Sequence, residues 1–317
     1  MVKSNLWVSI AVLLAACGGG GGGSSNPAQS QTTVPQTSPT TPVSGTIGLP
    51  NISGIDYLSC YPDPATTTTP TSCTGGIMGT DGAYTKELGG KIAFIADGAL
   101  LWESSAVSDM PKNWISLSSA PDLSEASFVN KFILGYSIDD SGKTLGSSIV
   151  LDAKSYAAVN TWLPQYGVVN YNQTTDAFVN DPEVVAIVAT FSSSPTSGPR
   201  PPYSAAQVKA ALRATYLTGA YAGTWTMYFN NSPTSAATFV VDNAGNVTEA
   251  GPIGDTSESS ATGGTDITNL ASPLVTFTSP NGAILQGSLS LQGTASGTYG
   301  SSVGGVARSG TWTAKKQ

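Results

Sequence analysis

No histidine occurs among the 317 residues, only three residues are cysteine, and charged side chains make up just 10% of the chain. Without imidazole there is no Ser-His-Asp or Cys-His relay, no HExxH metalloprotease and almost no route to a catalytic zinc site. Basic residues are scarce as well: 13 Lys and Arg stand against 20 Asp and Glu, a net charge of −7. Binding to nucleic acid needs a concentrated basic face, so no nucleic-acid partner is expected. No cofactor motif occurs. What the chain has in quantity is glycine (36) and proline (20), and a length that accommodates two ordinary domains.

The one strongly apolar stretch comes first. Lys3 precedes an eleven-residue run, Leu6 to Ala16, which is too short for the roughly 20 residues that cross a bilayer and reads as a signal peptide over 1–16. Leu14-Ala15-Ala16-Cys17 resembles the lipobox of bacterial lipoproteins. The resemblance implies cleavage before Cys17, diacylglycerol on its Sγ and an acyl chain (palmitate or similar) on the new amine. Two or three acyl chains anchor stably where one is marginal. With Gly18 rather than Asp after the cysteine, the resemblance implies the outer membrane of a Gram-negative cell, with display at the cell surface one possible arrangement.

Residues 17–46 contain six consecutive glycines and a Thr/Pro/Ser/Gln tract, and no charged residue occurs between Cys17 and Ile55. With little to bury, such a tract is expected to act as a disordered tether. A second Pro/Ser-rich break, with a linker at 196–203, divides 47–195 from 204–317. Between Asp56 and Pro195 there are 15 acidic and 6 basic residues, net −9; from Gly198 onward there are 5 and 6, net +1. The charge shift at the break predicts a domain boundary.

The acidic segment reads as α+β. Cys60 and Cys73 flank a Pro/Thr loop and are expected to form a disulfide in an oxidising envelope. Lys91 to Glu103 reads as a hairpin turning at Asp97-Gly98. Phe132–Ile138 and Ile149–Leu151 read as a second strand pair around Asp139 to Lys143. Asp152 is placed as the cap of a helix through Leu163, and Val184–Phe191 as either a buried strand or a core helix. Gly135-Tyr136-Ser137-Ile138-Asp139 is only superficially a nucleophile elbow, lacking its second glycine and a base. Asp139-Asp140-Ser141-Gly142 lacks the spacing of a calcium loop; a polar turn accounts for it. Trp102, Trp114 and Trp162, with Tyr136, Tyr156, Tyr166 and Tyr171, suit either a core or a sugar- or peptide-binding surface.

From Ser204 a helix is expected to about Leu217, capped by a Ser204/Gln207 box. Period-two patterning then predicts strands at Ala220–Phe229, Ala237–Val241, Asn246–Ala250, Leu274–Thr278, Ala283–Leu291, Thr294–Tyr299 and Arg308–Ala314. Gly223-Thr224-Trp225-Thr226 recurs as Gly310-Thr311-Trp312-Thr313, as suits the paired first and last strands of a closed barrel of seven or eight strands. Together with the lipidated cysteine and tether, this barrel resembles the surface lipoproteins related to transferrin-binding protein B and the factor H-binding proteins. Its opening Gly-x-Trp is also similar to avidin and lipocalin barrels. No ligand-binding residue carries over from either group.

The fold expected is therefore an α+β domain followed by a short helix and an antiparallel β-barrel. The function expected is non-enzymatic: a membrane-anchored lipoprotein that binds a protein or glycan, with the barrel as scaffold. Two alternatives stand beside it. One is a glycosidase-like envelope hydrolase using a carboxylate pair drawn from Asp97, Glu103, Asp109, Asp139 and Asp152. The other is a structural envelope component.

Overall fold

The computed structural model describes residues 42–61, 72–96, 99–104, 114, 121–139, 145–146, 148–150, 169–191, 200–232, 236–250, 261–280, 282–301 and 307–317. Its N-terminal part is built on short sheets. Strand β1 (Val43–Thr46) pairs antiparallel with β5 (Ala83–Lys86), and β2 (Asn51–Ser53) pairs parallel with β8 (Ser148–Val150). A four-stranded sheet has the order β4 (Ser72–Ile77), β3 (Asp56–Tyr61), β6 (Lys91–Ala96), β7 (Ala99–Ser104). The expected β6–β7 hairpin is present, with Ala96 opposite Ala99 and an irregularity between Phe94 and Ile95. Tyr84, Phe94 and Trp114 form a chain of edge-to-face aromatic contacts beneath this sheet.

One expected strand is a helix. Phe132 to Ser137 forms the second half of α1 (Ala126–Ser137) rather than half of a hairpin, and its supposed partner, β8, pairs with β2 instead. Phe128, Val129, Phe132, Ile133 and Tyr136 are all buried, and their three- and four-residue spacing puts them on one helical face. The short apolar run at 132–134 satisfies either period, and the residues upstream decide between them. Val184–Phe191 likewise belongs to a helix, α3 (Pro182–Phe191), which follows the short α2 (Thr175–Val179). The helix expected from Asp152 to Leu163 lies outside the described residues.

Helix α4 (Ala205–Tyr216) starts at the predicted box: the Gln207 N–H donates to Ser204 Oγ, and the Ser204 N–H to Gln207 Oε1. It ends in a π-helical turn, Leu217–Tyr221, so the strand expected from Ala220 begins only at Gly223. Just before α4, the Arg200 guanidinium donates to the carbonyls of Tyr136, Ser137 and Asp139 at the C-terminal end of α1. A cation there satisfies carbonyls that the helix leaves open and opposes the negative end of its dipole.

The C-terminal part is a closed antiparallel barrel of eight strands: β9 (Gly223–Phe229), β10 (Ala236–Val241), β11 (Asn246–Ala250), β12 (Ala261–Asp266), β13 (Leu274–Thr278), β14 (Ile284–Leu289), β15 (Thr294–Ser301) and β16 (Arg308–Lys316). Each strand pairs with its successor, and β16 closes on β9 with Trp312 opposite Phe229 and Lys316 opposite Trp225. Seven of these strands correspond to expected ones. The eighth, Ala-Thr-Gly-Gly-Thr-Asp, carries two glycines and no large apolar residue, so it has almost none of the alternation that marks a strand.

The barrel interior is filled by side chains. Trp225 stacks on Phe239 at 5.7 Å, Phe239 lies 5.1 Å from Phe277, and Phe229 meets Tyr299 edge-on at 5.2 Å. Trp312 lies against two glycines that face one another across β14 and β15, Gly287 and Gly297. A Cβ on Gly297 would overlap Gln286 O and stand 2.6 Å from Gly287 Cα and 2.7 Å from Trp312 Cε2. Gly297→Ala is therefore expected to destabilise the protein by about 3 kcal/mol. Gly300→Ala, on the same strand with nothing near its added methyl, should change stability by less than about 0.5 kcal/mol. Urea titrations of the two variants measure the contrast, and equal midpoints would overturn it.

Candidate functional site

Cys60 and Cys73 stand directly opposite one another on β3 and β4 and form a disulfide, as the sequence predicts. It fixes β4, the edge strand of its sheet. Cys17 lies outside the described residues.

Asp97, Asp109 and Asp152 lie outside the described residues, and Glu103 is placed only as part of the β7 backbone. Asp139 accepts the Val150 N–H at 3.0 Å through its carboxylate and the Arg200 guanidinium through its backbone carbonyl, so it ties α1, β8 and the segment entering α4 together. Ser137 ends α1, and its Oγ accepts the Tyr203 N–H. The neighbouring Tyr136 hydroxyl donates to Gly146 O, and burial pushes its pKa up. The residues that superficially suggest a nucleophile elbow are thus the last turn of a buried helix. Among the described residues no group of three or more His, Cys, Asp or Glu could hold a metal ion.

The aromatic candidates that are described belong to the interior. Trp114 is fully buried, with its indole N–H donating to Pro50 O at 2.7 Å. Tyr171 stacks on Phe178, and the carbonyls of Tyr171 and Gln173 both accept from buried Asn130. Trp162, Tyr156 and Tyr166 lie outside the described residues, and for Trp102 only the strand is placed.

The barrel has two different ends. At one, the π-helical turn and its neighbours close over the strands: the Tyr221 hydroxyl donates to Leu270 O, Trp225 Nε1–H to Tyr221 O, and Lys316 Nζ to Ala220 O at 2.7 Å. Partial burial pulls the Lys316 pKa down. The Asp266 carboxylate, at the same end, accepts from Thr268 N–H, which lowers its pKa, with Arg213 adding a smaller electrostatic contribution. Backbone bonds from Leu123 N–H to Thr268 O and from Leu270 N–H to Pro121 O tie the segment before α1 to this end.

Apart from exposed Leu274 and Ile284, the outward positions of the wall over β13 to β16, as far as Thr313, are hydroxyl, amide and glycine. Between Leu274 and Thr313 its outward strand positions carry no charge, and cross-strand rows such as Thr276–Gln286–Thr298–Thr311 run across it. A groove of about 580 Å³ lies over Ile284, Gln286, Thr298 and Thr311, and a second of about 370 Å³ over Ser288, Ser296 and Thr313. Sequence reasoning located the strands but not this wall; the run of threonines at alternate positions was its available signal. Among the described residues no helix is long and apolar enough to cross a membrane.

No protein-family model, no curated protein and no solved structure matches the chain. Replacing Cys60 and Cys73 by alanine is expected to lower stability by about 3 kcal/mol, the chain-entropy value for a cross-link spanning 13 residues. Paired urea curves with and without reductant measure it; an unchanged midpoint in both would overturn the expectation.

Proposed function

We propose that this chain is a lipid-anchored outer-membrane lipoprotein whose folded part binds or interacts with another molecule and is not an enzyme. The observation that carries the reading is the leader ending Leu14-Ala15-Ala16-Cys17, followed at once by an uncharged Gly/Ser/Thr/Pro tether. A thiol at the cleavage point supplies the nucleophile for lipid transfer, and the tether supplies reach. The Cys60–Cys73 disulfide supports an oxidising compartment. The closed eight-stranded barrel is in keeping with the resemblance to surface lipoproteins related to transferrin-binding protein B and the factor H-binding proteins. A rigid barrel with a filled centre presents its walls and ends, and an uncharged hydroxyl-lined wall suits a neutral hydrogen-bonding ligand such as a glycan or a polar protein face.

Metabolic palmitate labelling of wild type and Cys17→Ala, combined with protease shaving of intact cells, tests the reading. Label on the wild type alone is the expected result, with loss of the folded part on shaving if it faces outward. Absence of label from the wild type would overturn the anchor.

A further inference from the structure

The four-stranded sheet of the N-terminal part ends in β4, and this strand lacks the devices by which sheets discourage further pairing. From Ser72 to Thr80 the chain has no charged residue and no proline, and β4 runs along β3 without a shift of register. Edge strands ordinarily rely on charge, proline or a bulge to stay single. Here the Cys60–Cys73 bond ties β4 to β3 instead, so the outer edge is held in order. A template already ordered loses little freedom when another strand is added to it.

The register shows which backbone groups that edge presents. Cys73 lies opposite Cys60 with their Cα atoms 4.1 Å apart, the close spacing of a pair that exchanges no backbone hydrogen bonds. At the far end of the strand Met78 points the other way, its N–H donating to Ile55 O and its carbonyl accepting from Gly54 N–H. By alternation Thr74 and Gly76 bond toward β3 like Met78, while Cys73, Gly75 and Ile77 aim their N–H and C=O groups out of the sheet. All three of these residues are exposed, and among the described residues β4 has no second neighbour in its sheet.

Two exposed apolar side chains border the edge. Leu58 is 37% exposed and Ile77 53%. Leu58 stands opposite Gly75, and Ile77 is two residues along β4 from that glycine, so both project from the same face. A Cβ on Gly75 would stand 2.7 Å from Tyr57 O and 3.2 Å from Leu58 Cδ1, which reserves the position for glycine. The middle of the three outward residues therefore carries no side chain.

We infer that β4 is the docking edge for a second copy of this chain, the two strands pairing antiparallel about a twofold axis at Gly75. In that register Gly75 meets its counterpart, and Cys73 and Ile77 of each copy meet Ile77 and Cys73 of the other. Every residue in these pairs is an outward one, so each pair exchanges two backbone hydrogen bonds. The strand is its own complement: its outward groups are symmetric about Gly75, and it brings no like charges together. The bare backbone at the axis leaves room for Ile77 of both copies, and Leu58 of each closes the flanks, the self-matching patch that a twofold contact requires. Two four-stranded sheets become one. The lipid anchor plays no part in this contact, so palmitate labelling and the test below succeed or fail separately.

Sedimentation velocity of the full chain in density-matched detergent reads the association, and wild type is expected to form dimers as concentration rises. Ile77 is exposed, so Ile77→Lys and Ile77→Glu should each keep the wild-type circular dichroism. Each should weaken dimerisation at least tenfold, because it sets like charges diagonally across the axis. Mixing the two variants should restore dimers, since lysine from one copy then meets glutamate from the other. Amide exchange supplies a second readout: the N–H groups of Cys73, Gly75 and Ile77 should slow as dimers form, with Thr74 and Gly76 unchanged. A wild type that stays monomeric at about 0.1 mM, where even a weak specific contact populates a dimer, would overturn the inference. So would dimers that persist in both charged variants, which would place the contact elsewhere, or a mixture that associates no better than either variant alone. Slow exchange at the three outward amides in a monomer would assign the edge to another segment of the same chain, and would overturn it equally.

Discussion

The barrel depends on one steric fit: a tryptophan lying on bare backbone. Trp312 spans the pair Gly287 and Gly297, with its Nε1–H donating to Thr298 O at 3.2 Å. Any Cβ in that floor meets either the ring or a neighbouring carbonyl, so the indole can reach the barrel axis only because two adjacent strands give up side chains at the same level. On its other sides the ring meets Phe239 and Phe277, at 6.1 and 6.2 Å. The same tryptophan sits on the strand that closes the cylinder, opposite Phe229. Filling the centre and sealing the seam are one event, and neither can be had without the other.

That coupling explains which parts of the fold could be read from the sequence. The repeated Gly-Thr-Trp-Thr marks both sides of the seam, and alternation marks every strand whose inward positions are large. β12 escaped because its inward neighbour to Phe277 is Gly263, whose missing side chain makes room for the adjacent strand's backbone. The residue most needed for close approach is the one that erases the pattern. In the N-terminal part the difficulty is different. Phe132, Ile133 and Leu134 are consecutive buried apolar residues, and a run that short fits a strand as well as a helix. Arg200 is a tertiary cap reaching across some 60 residues of sequence to α1, and no local signal announces a cap of that kind.

The candidate site shows a similar division. The disulfide was legible because two cysteines flanking a Pro/Thr loop, in a chain expected to reach an oxidising envelope, leave few other fates. The carboxylates were not resolvable into roles, since Asp139 serves the backbone of α1 and β8 and nothing in its neighbourhood in sequence says so. Glu249 reads in sequence as one more strand-end acid beside Thr248. Only the register of β10, β11 and β12 reveals that it faces the axis, opposite Phe239 and Ala261.

The seam also sets an order of events. Asn230, at the end of β9, bonds Thr311 on β16 across 81 residues of sequence, and β9 has no second neighbour until β16 arrives. As the chain folds, the first strand of the barrel therefore waits, one edge unpaired, until the last strand of the barrel is in place. Contacts this distant in sequence form slowly because the intervening chain must first be ordered. A barrel that its last strand completes stays open for threading until that strand is delivered, and a chain stopped short of Arg308 would carry two bare edges, β9 and β15, ready to pair with those of another copy.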